Sequence, residues 1–201
     1  MFLGTSFACS PAGNSKTLIG ETVPRSDQPF LDDPDNFQFV IVADRTGGHR
    51  PGVFEKALAH VNLLQPEFVI SVGDLIEGYT DDPSKIDKEW TEFEGFLKSL
   101  DMPFFYVAGN HDLSNELMVE KWEQRHGATY YSFIYKDVLF IALNTEDPPY
   151  IFPDDLLART QQMEQAMAKD PEGTQARILE AVRDRPKPPK LPGAINISEA
   201  Q

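Results

Sequence analysis

Cysteine is almost missing from this chain of 201 residues: Cys9 is the only one, so no internal disulfide can form. Long apolar runs are missing too. No stretch approaches the roughly 20 apolar residues that a spanning helix needs, so no transmembrane segment is expected. Histidine is scarce, with four in all (His49, His60, His111 and His126) and none beyond residue 126. Positive charge is the minority: 18 Lys and Arg stand against 32 Asp and Glu, a formal net charge of -14. A surface that acidic repels nucleic-acid backbones at long range, so no nucleic-acid-binding surface is expected. It would repel free phosphate as well, unless metal cations reverse the sign locally. The charge balance therefore excludes a general DNA or RNA binder and leaves room for a metalloenzyme.

What is there is an ordinary globular composition, 41% hydrophobic and 25% charged, on a length that suits one domain with its own core. The start, MFLGTSFAC, is apolar and rich in small residues, and it ends in Cys9. It lacks the basic start and longer apolar core of a full secretion signal. It reads as a disordered N-terminus; the alternative is the remnant of a signal with a lipid anchor at Cys9, which would make an exported or cell-envelope lipoprotein. Residues 10–36 are rich in Pro, Gly, Ser, Asp and Asn without an apolar period, and read as a linker or mobile arm. The division is thus an N-terminal arm, 1–36, and a domain, 37–201.

From Phe37 the pattern alternates. FQFVIVA (37–43), FVISV (68–72) and FFYVA (104–108) are apolar runs of strand length and read as buried strands, the first as a central one. Between them lie helical patterns. One runs from Pro51 to Leu64. The other runs from Ser84 to Leu100, with Ile86, Trp90, Phe93, Leu97 and Leu100 on one face. Ser114 is the expected cap of a short helix reaching Arg125. YYSFIY and VLFIALN, joined by Lys136-Asp137, read as an antiparallel hairpin. Two amphipathic helical patterns follow, then a Pro-rich connector at 185–193. This order is that of an α/β fold with a largely parallel sheet and an added antiparallel part.

In open α/β sheets, sites form at the carboxyl ends of strands. Here those ends carry Asp44, then Gly73-Asp74, then Gly109-Asn110-His111-Asp112. Oxygen donors with an imidazole suit Mn, Fe or Zn. Asp74 has two carboxylate oxygens and so can bridge a pair of cations. Such a pair clamps the attacking and leaving oxygens of a phosphoryl displacement and lowers the pKa of a water between them. His111, beside Asn110, is placed to protonate the leaving oxygen or to stabilise developing charge. Each signal alone has a plain structural reading, as a helix cap or tight turn. GNHD after an apolar strand is unusual for either.

Together these three segments resemble the first motifs of the calcineurin-like metallophosphoesterases, whose pattern is D-x-H, GD and GNH[DE], then a later histidine motif and GHxH. The resemblance covers about residues 37 to 145. It implies an α/β/β/α sandwich with mixed sheets, two divalent metal ions and a phosphoester substrate. By position it implies that Asp44 binds the first metal, Asp74 bridges both and Asn110 binds the second. His111 would face the phosphoryl group and Asp112 would orient His111.

Two departures accompany the resemblance. The D-x-H position reads Asp44-Arg45-Thr46, so a hydroxyl stands where imidazole is usual; His49 is the alternative ligand. Arg45 with the Gly47-Gly48 amides reads either as an anion nest for phosphate or as a plain turn. The later histidine motifs are missing, so the domain is expected to be incomplete at its C-terminal part. The alternative to an enzyme is a phosphoesterase-like binding or scaffold module with degenerate metal sites. His60 reads as a surface residue, and His126 as a cationic helix end.

Overall fold

Val, Ile and Phe favour the pleated, half-buried surface of a sheet. In the computed structural model they form three parallel strands, β1 (Phe39–Val42), β2 (Phe68–Ser71) and β3 (Phe104–Phe105), in the order β1-β2-β3. The structure describes residues 16–32, 37–46, 50–147 and 154–183. Phe39 lies opposite Phe68, and Ile70 opposite Phe105. β2, in the middle, is buried on both faces. β1, expected to be the central strand, is an outer one, with Phe39 and Ile41 exposed.

The period of two divides β2 and β3 between two cores. Val69 and Phe104 face a helical layer; Phe68, Ile70 and Phe105 face the hairpin. The helical layer has three members: α1 (Val53–Leu64), α2 (Pro83–Leu97) and α3 (Glu116–His126). α2 starts where its sequence says it should. Asp82 accepts from the Ser84 N–H at 2.9 Å, and Pro83 occupies the first turn, where its missing N–H costs nothing. Its buried face is Ile86, Trp90, Phe93 and Leu97. Fully burying side chains of this kind contributes about 1.5–3 kcal/mol each. α3 is capped by Asn115, which accepts from the Met118 N–H at 2.9 Å. Ser114, the expected cap, accepts instead from the Tyr79 N–H at 3.0 Å.

The hairpin of β4 (Tyr131–Tyr135) and β5 (Val138–Ala142) forms the layer on the other face. Its two turn residues, Lys136 and Asp137, have φ of 46 and 66, the left-handed pair that a tight hairpin's twist requires. Helices, parallel sheet and antiparallel hairpin make a mixed α/β architecture, as expected.

The segment read as a linker is held in place along residues 16–32. Leu18 exchanges two main-chain hydrogen bonds with Ile134, at 2.8 and 2.9 Å. Ser26 N–H donates to Phe104 O at 2.9 Å, and Tyr106 N–H to Pro24 O at 3.0 Å. The segment thereby pairs with the outer edges of β4 and β3, and Val23 is buried beside Phe105.

The chain divides into two compact units, one through Leu157 and one from Ala158. The two late helical patterns form α4 (Asp154–Lys169) and α5 (Pro171–Arg183), and Asp170 between them accepts from the Gly173 N–H at 3.0 Å. No helix among the described residues is long and apolar enough to cross a membrane. Cys9, Gly47-Gly48, His49 and the Pro-rich connector lie outside the described residues.

Candidate active site

The carboxyl ends of the three parallel strands meet through their main chains. Asp44, after β1, donates its N–H to Gly73 O at 3.3 Å. Two residues on, Thr46 donates its N–H to Asp74 O at 3.3 Å. After β3, the His111 N–H donates to Asp74 Oδ1 at 3.1 Å. Asp44 and Asp74 both adopt left-handed backbone, with φ of 50 and 58. Aspartate tolerates this region better than most residues, and such conformations gather at functional sites. Gly73 and Gly109 permit the closeness. Gly73 has φ of 101, and a Cβ there would lie 2.5 Å from Gly109 Cα. A Cβ on Gly109 would collide with Asp74 Oδ1. The loops carrying Asp44, Asp74, Asn110 and His111 are thus knitted into one surface, on which Asp44 and Asn110 are exposed and Asp74 and His111 half-buried.

Asp112, expected to orient His111, directs its carboxylate to main-chain donors. Its side chain is fully buried and accepts four main-chain N–H groups. Oδ2 takes those of Asp74 and Gly109, each at 2.9 Å, and Oδ1 takes those of Leu75 at 2.9 Å and Ile76 at 3.2 Å. It pins the second loop to the third. Burial pushes its carboxyl up to about 7, while the N–H donors of Gly109, Leu75 and Ile76 pull the other way.

The ring of His111 is set by the loop after Asp74. Nδ1 lies 2.7 Å from Glu77 O. A carbonyl only accepts, so Nδ1 carries the proton and Nε2 is the nitrogen left for other work. Tyr79 meets the His111 ring edge-on, at 4.6 Å between centroids and 68° between planes. Its hydroxyl oxygen accepts from Asn110 Nδ2 at 2.5 Å. Burial raises the Tyr79 phenol above its usual range; the Asn110 hydrogen bond opposes this, and the charge of Asp74 adds to it. Neither Glu77 nor Tyr79 was singled out by sequence reasoning. The available signal was a bulky aromatic beside Gly78 in a loop otherwise rich in Asp and Pro.

Of the two readings of Arg45, an anion nest or a plain turn, the structure does not support the nest. Arg45 does not face a phosphate site. It is buried, donates to Leu75 O at 3.0 Å, pairs with Glu92 at 2.8 Å and stands 5.0 Å over the Phe96 ring. Thr46, at the usual histidine position, turns its hydroxyl to Asp74 O at 3.1 Å. His60 is exposed, as expected. His126 ends α3, as expected, but is not cationic. It stacks on Tyr106 at 4.2 Å and touches Trp90 and Trp122, and burial together with the Arg125 charge lowers it to about 4.

Among the described residues, no three His, Cys, Asp or Glu side chains cluster so as to hold a metal ion by themselves. Asp44, Asp74 and Asn110 nevertheless bring two carboxylates and an amide, hard oxygen donors, to adjoining loops. In donor chemistry they fit part of a divalent-cation centre.

A family model described as calcineurin-like phosphoesterase matches residues 37–169. Among curated proteins, the serine/threonine-protein phosphatase CPPED1 of Mus musculus is 33% identical over 99 residues, 46% of this chain and 31% of that protein. CPPED1 of Homo sapiens is 31% identical over 99 residues, with the same shares. CPPED1 of Danio rerio is 30% identical over 99 residues, 46% of this chain and 32% of that protein. The chain therefore matches about a third of the length of these relatives. No solved structure matches it.

Proposed function

This chain belongs to the calcineurin-like phosphoesterase family, and from that premise we propose that it is a metal-dependent phosphoesterase whose first three motifs contribute to a dinuclear centre. The observation that carries the reading is the knitting of the three strand ends: Asp44 to Gly73, and Asp74 to His111, through main-chain donors at 3.3 and 3.1 Å.

In this reading Asp44 would hold the first of two divalent ions, Asp74 would serve both and Asn110 would hold the second through its Oδ1. The ions, of Mn, Fe or Zn, supply charge for the phosphoryl oxygens and acidify water. The rest is done by the chain's own residues. His111, fixed at Nδ1 by Glu77 O, offers Nε2 to the leaving oxygen; a proton carried on Nε2, and not the one held between Nδ1 and Glu77 O, would pass there. Asp112 sets the spacing of the Asp74 and Asn110 loops and touches no substrate. The relatives' description as serine/threonine-protein phosphatases makes a phosphomonoester the first substrate to test.

One observation favours a second reading, a degenerate binding or scaffold module: the residue in the histidine position, Thr46, spends its hydroxyl on Asp74 O. Mn²⁺-dependent hydrolysis of a chromogenic phosphoester by the purified chain, abolished in Asp74→Asn, supports the enzyme. Metal-dependent activity that survives Asp74→Asn overturns the assignment. Calorimetric titration that finds two tight metal sites excludes the degenerate module.

A further inference from the structure

Tyr79 stands apart from the residues that the motifs explain. It is 6% exposed, yet its backbone is left-handed, with φ of 44, directly after Gly78 at φ of 61. An ordinary core aromatic does not need a strained backbone. Gly78 has no Cβ because one there would run into His111 O. The Gly78 N–H donates to Glu89 Oε2 at 3.0 Å, while three other contacts around this pair lead to the third motif and the residues just after it. Glu77 O takes His111 Nδ1, Tyr79 N–H goes to Ser114 Oγ, and the Tyr79 hydroxyl takes Asn110 Nδ2. The ring lies edge-on to the His111 imidazole.

We propose that Tyr79 is a positioning residue that presets the carboxamide of Asn110 so that its oxygen, not its nitrogen, is presented to a divalent cation. The argument rests on the metal role given above to Asn110. A carboxamide is planar, and its two branches point in different directions. With Nδ2 held by the tyrosine oxygen, Oδ1 is the branch turned away. Without that hold the group can turn over and offer an NH₂ to the ion, which repels it. Outer partners of metal ligands act in this way, and losing one typically weakens metal binding 10–100-fold. The same side chain fixes His111 on its other flank, so one residue sets both functional groups of the third motif.

The test is calorimetric titration of the full chain with Mn²⁺, comparing wild type, Tyr79→Phe, Asn110→Asp, the two combined, and Asp74→Asn. Tyr79→Phe keeps the ring and removes the hydroxyl. It is expected to weaken Mn²⁺ binding about 10-fold. Aspartate offers an oxygen on either branch, so in the Asn110→Asp background Tyr79→Phe is expected to cost nothing further. A merely structural tyrosine would weaken binding alike in both backgrounds, and that result overturns the proposal. So does a Tyr79→Phe chain that titrates as wild type does. A wild type that binds no Mn²⁺, or an Asp74→Asn chain that binds it unchanged, removes the metal reading itself and this inference with it. Loss in Asp74→Asn with no effect of Tyr79→Phe removes the inference alone.

Discussion

The N–H of Asp74 donates to Oδ2 of Asp112 across 2.9 Å, so the two acids are joined through the main chain and not through opposed carboxylates. Asp112 holds four N–H groups on two oxygens. Asp112→Asn replaces one oxygen by a donor and leaves two buried N–H groups facing it. The expected destabilisation is about 3 kcal/mol, from two unsatisfied donors of roughly 1–3 kcal/mol each. Urea unfolding at pH 7 measures it; a loss under about 1 kcal/mol would show that the loops are held some other way.

At the opposite end of β2, Glu67 is 2% exposed, and its partners include Lys136 Nζ at 2.9 Å, the Tyr135 hydroxyl at 2.8 Å and the Asp32 N–H at 2.6 Å. It ties the N-terminal segment and the hairpin turn to the start of β2. Glu67→Ala leaves Lys136 without this carboxylate and is expected to cost about 3–5 kcal/mol. Asp32→Ala removes a carboxylate that is 78% exposed and is expected to cost under about 0.5 kcal/mol. Chemical denaturation of the two variants side by side checks the contrast.

The strands, the helix faces and the three motif ends were legible because each is written in local side-chain chemistry. The apolar runs before Asp44, Asp74 and Asn110 mark buried strands, and the spacing of Ile86, Trp90, Phe93 and Leu97 marks one helix face. The pairing of residues 16–32 was not legible. It rests on main-chain bonds such as Leu18 with Ile134, to which no side-chain period contributes. The direction of Arg45 was hidden for another reason. Its partner Glu92 and its ring neighbour Phe96 sit on α2, far along the chain. The tie made by Asp112 was hidden because an acid next to a histidine invites pairing, whereas three of the four donors it satisfies belong to a loop more than thirty residues earlier.

Arg45 gives a prediction that separates packing from phosphate binding. Its guanidinium lies over the Phe96 ring and is paired with Glu92 and Leu75 O. Arg45→Met keeps the apolar stem and removes the head. The expected result is a loss of about 1–2 kcal/mol in stability, the worth of a charge-assisted hydrogen bond with an exposed partner. The KM for a phosphoester is expected to stay unchanged. A KM raised tenfold with stability unaltered would return Arg45 to the phosphate site.

His126 makes stability depend on acidity at a place far in sequence from the motifs. Burial among Tyr106, Trp90 and Trp122, with Arg125 beside it, lowers the ring from 6.5 to about 4. Above pH 6.5 the ring is neutral in the folded and the unfolded chain alike. Between 6.5 and about 4 the unfolded chain takes up a proton that the folded chain refuses, so stability falls as pH falls. Below about 4 both states carry the charge and the loss levels off at about 3 kcal/mol. His126→Phe keeps an aromatic ring among the same neighbours and removes the titration. Urea unfolding of wild type and variant at pH 7 and pH 4.5 is expected to show a wider gap between the two pH values for wild type. Equal losses in both chains would mean that other groups carry the acid sensitivity.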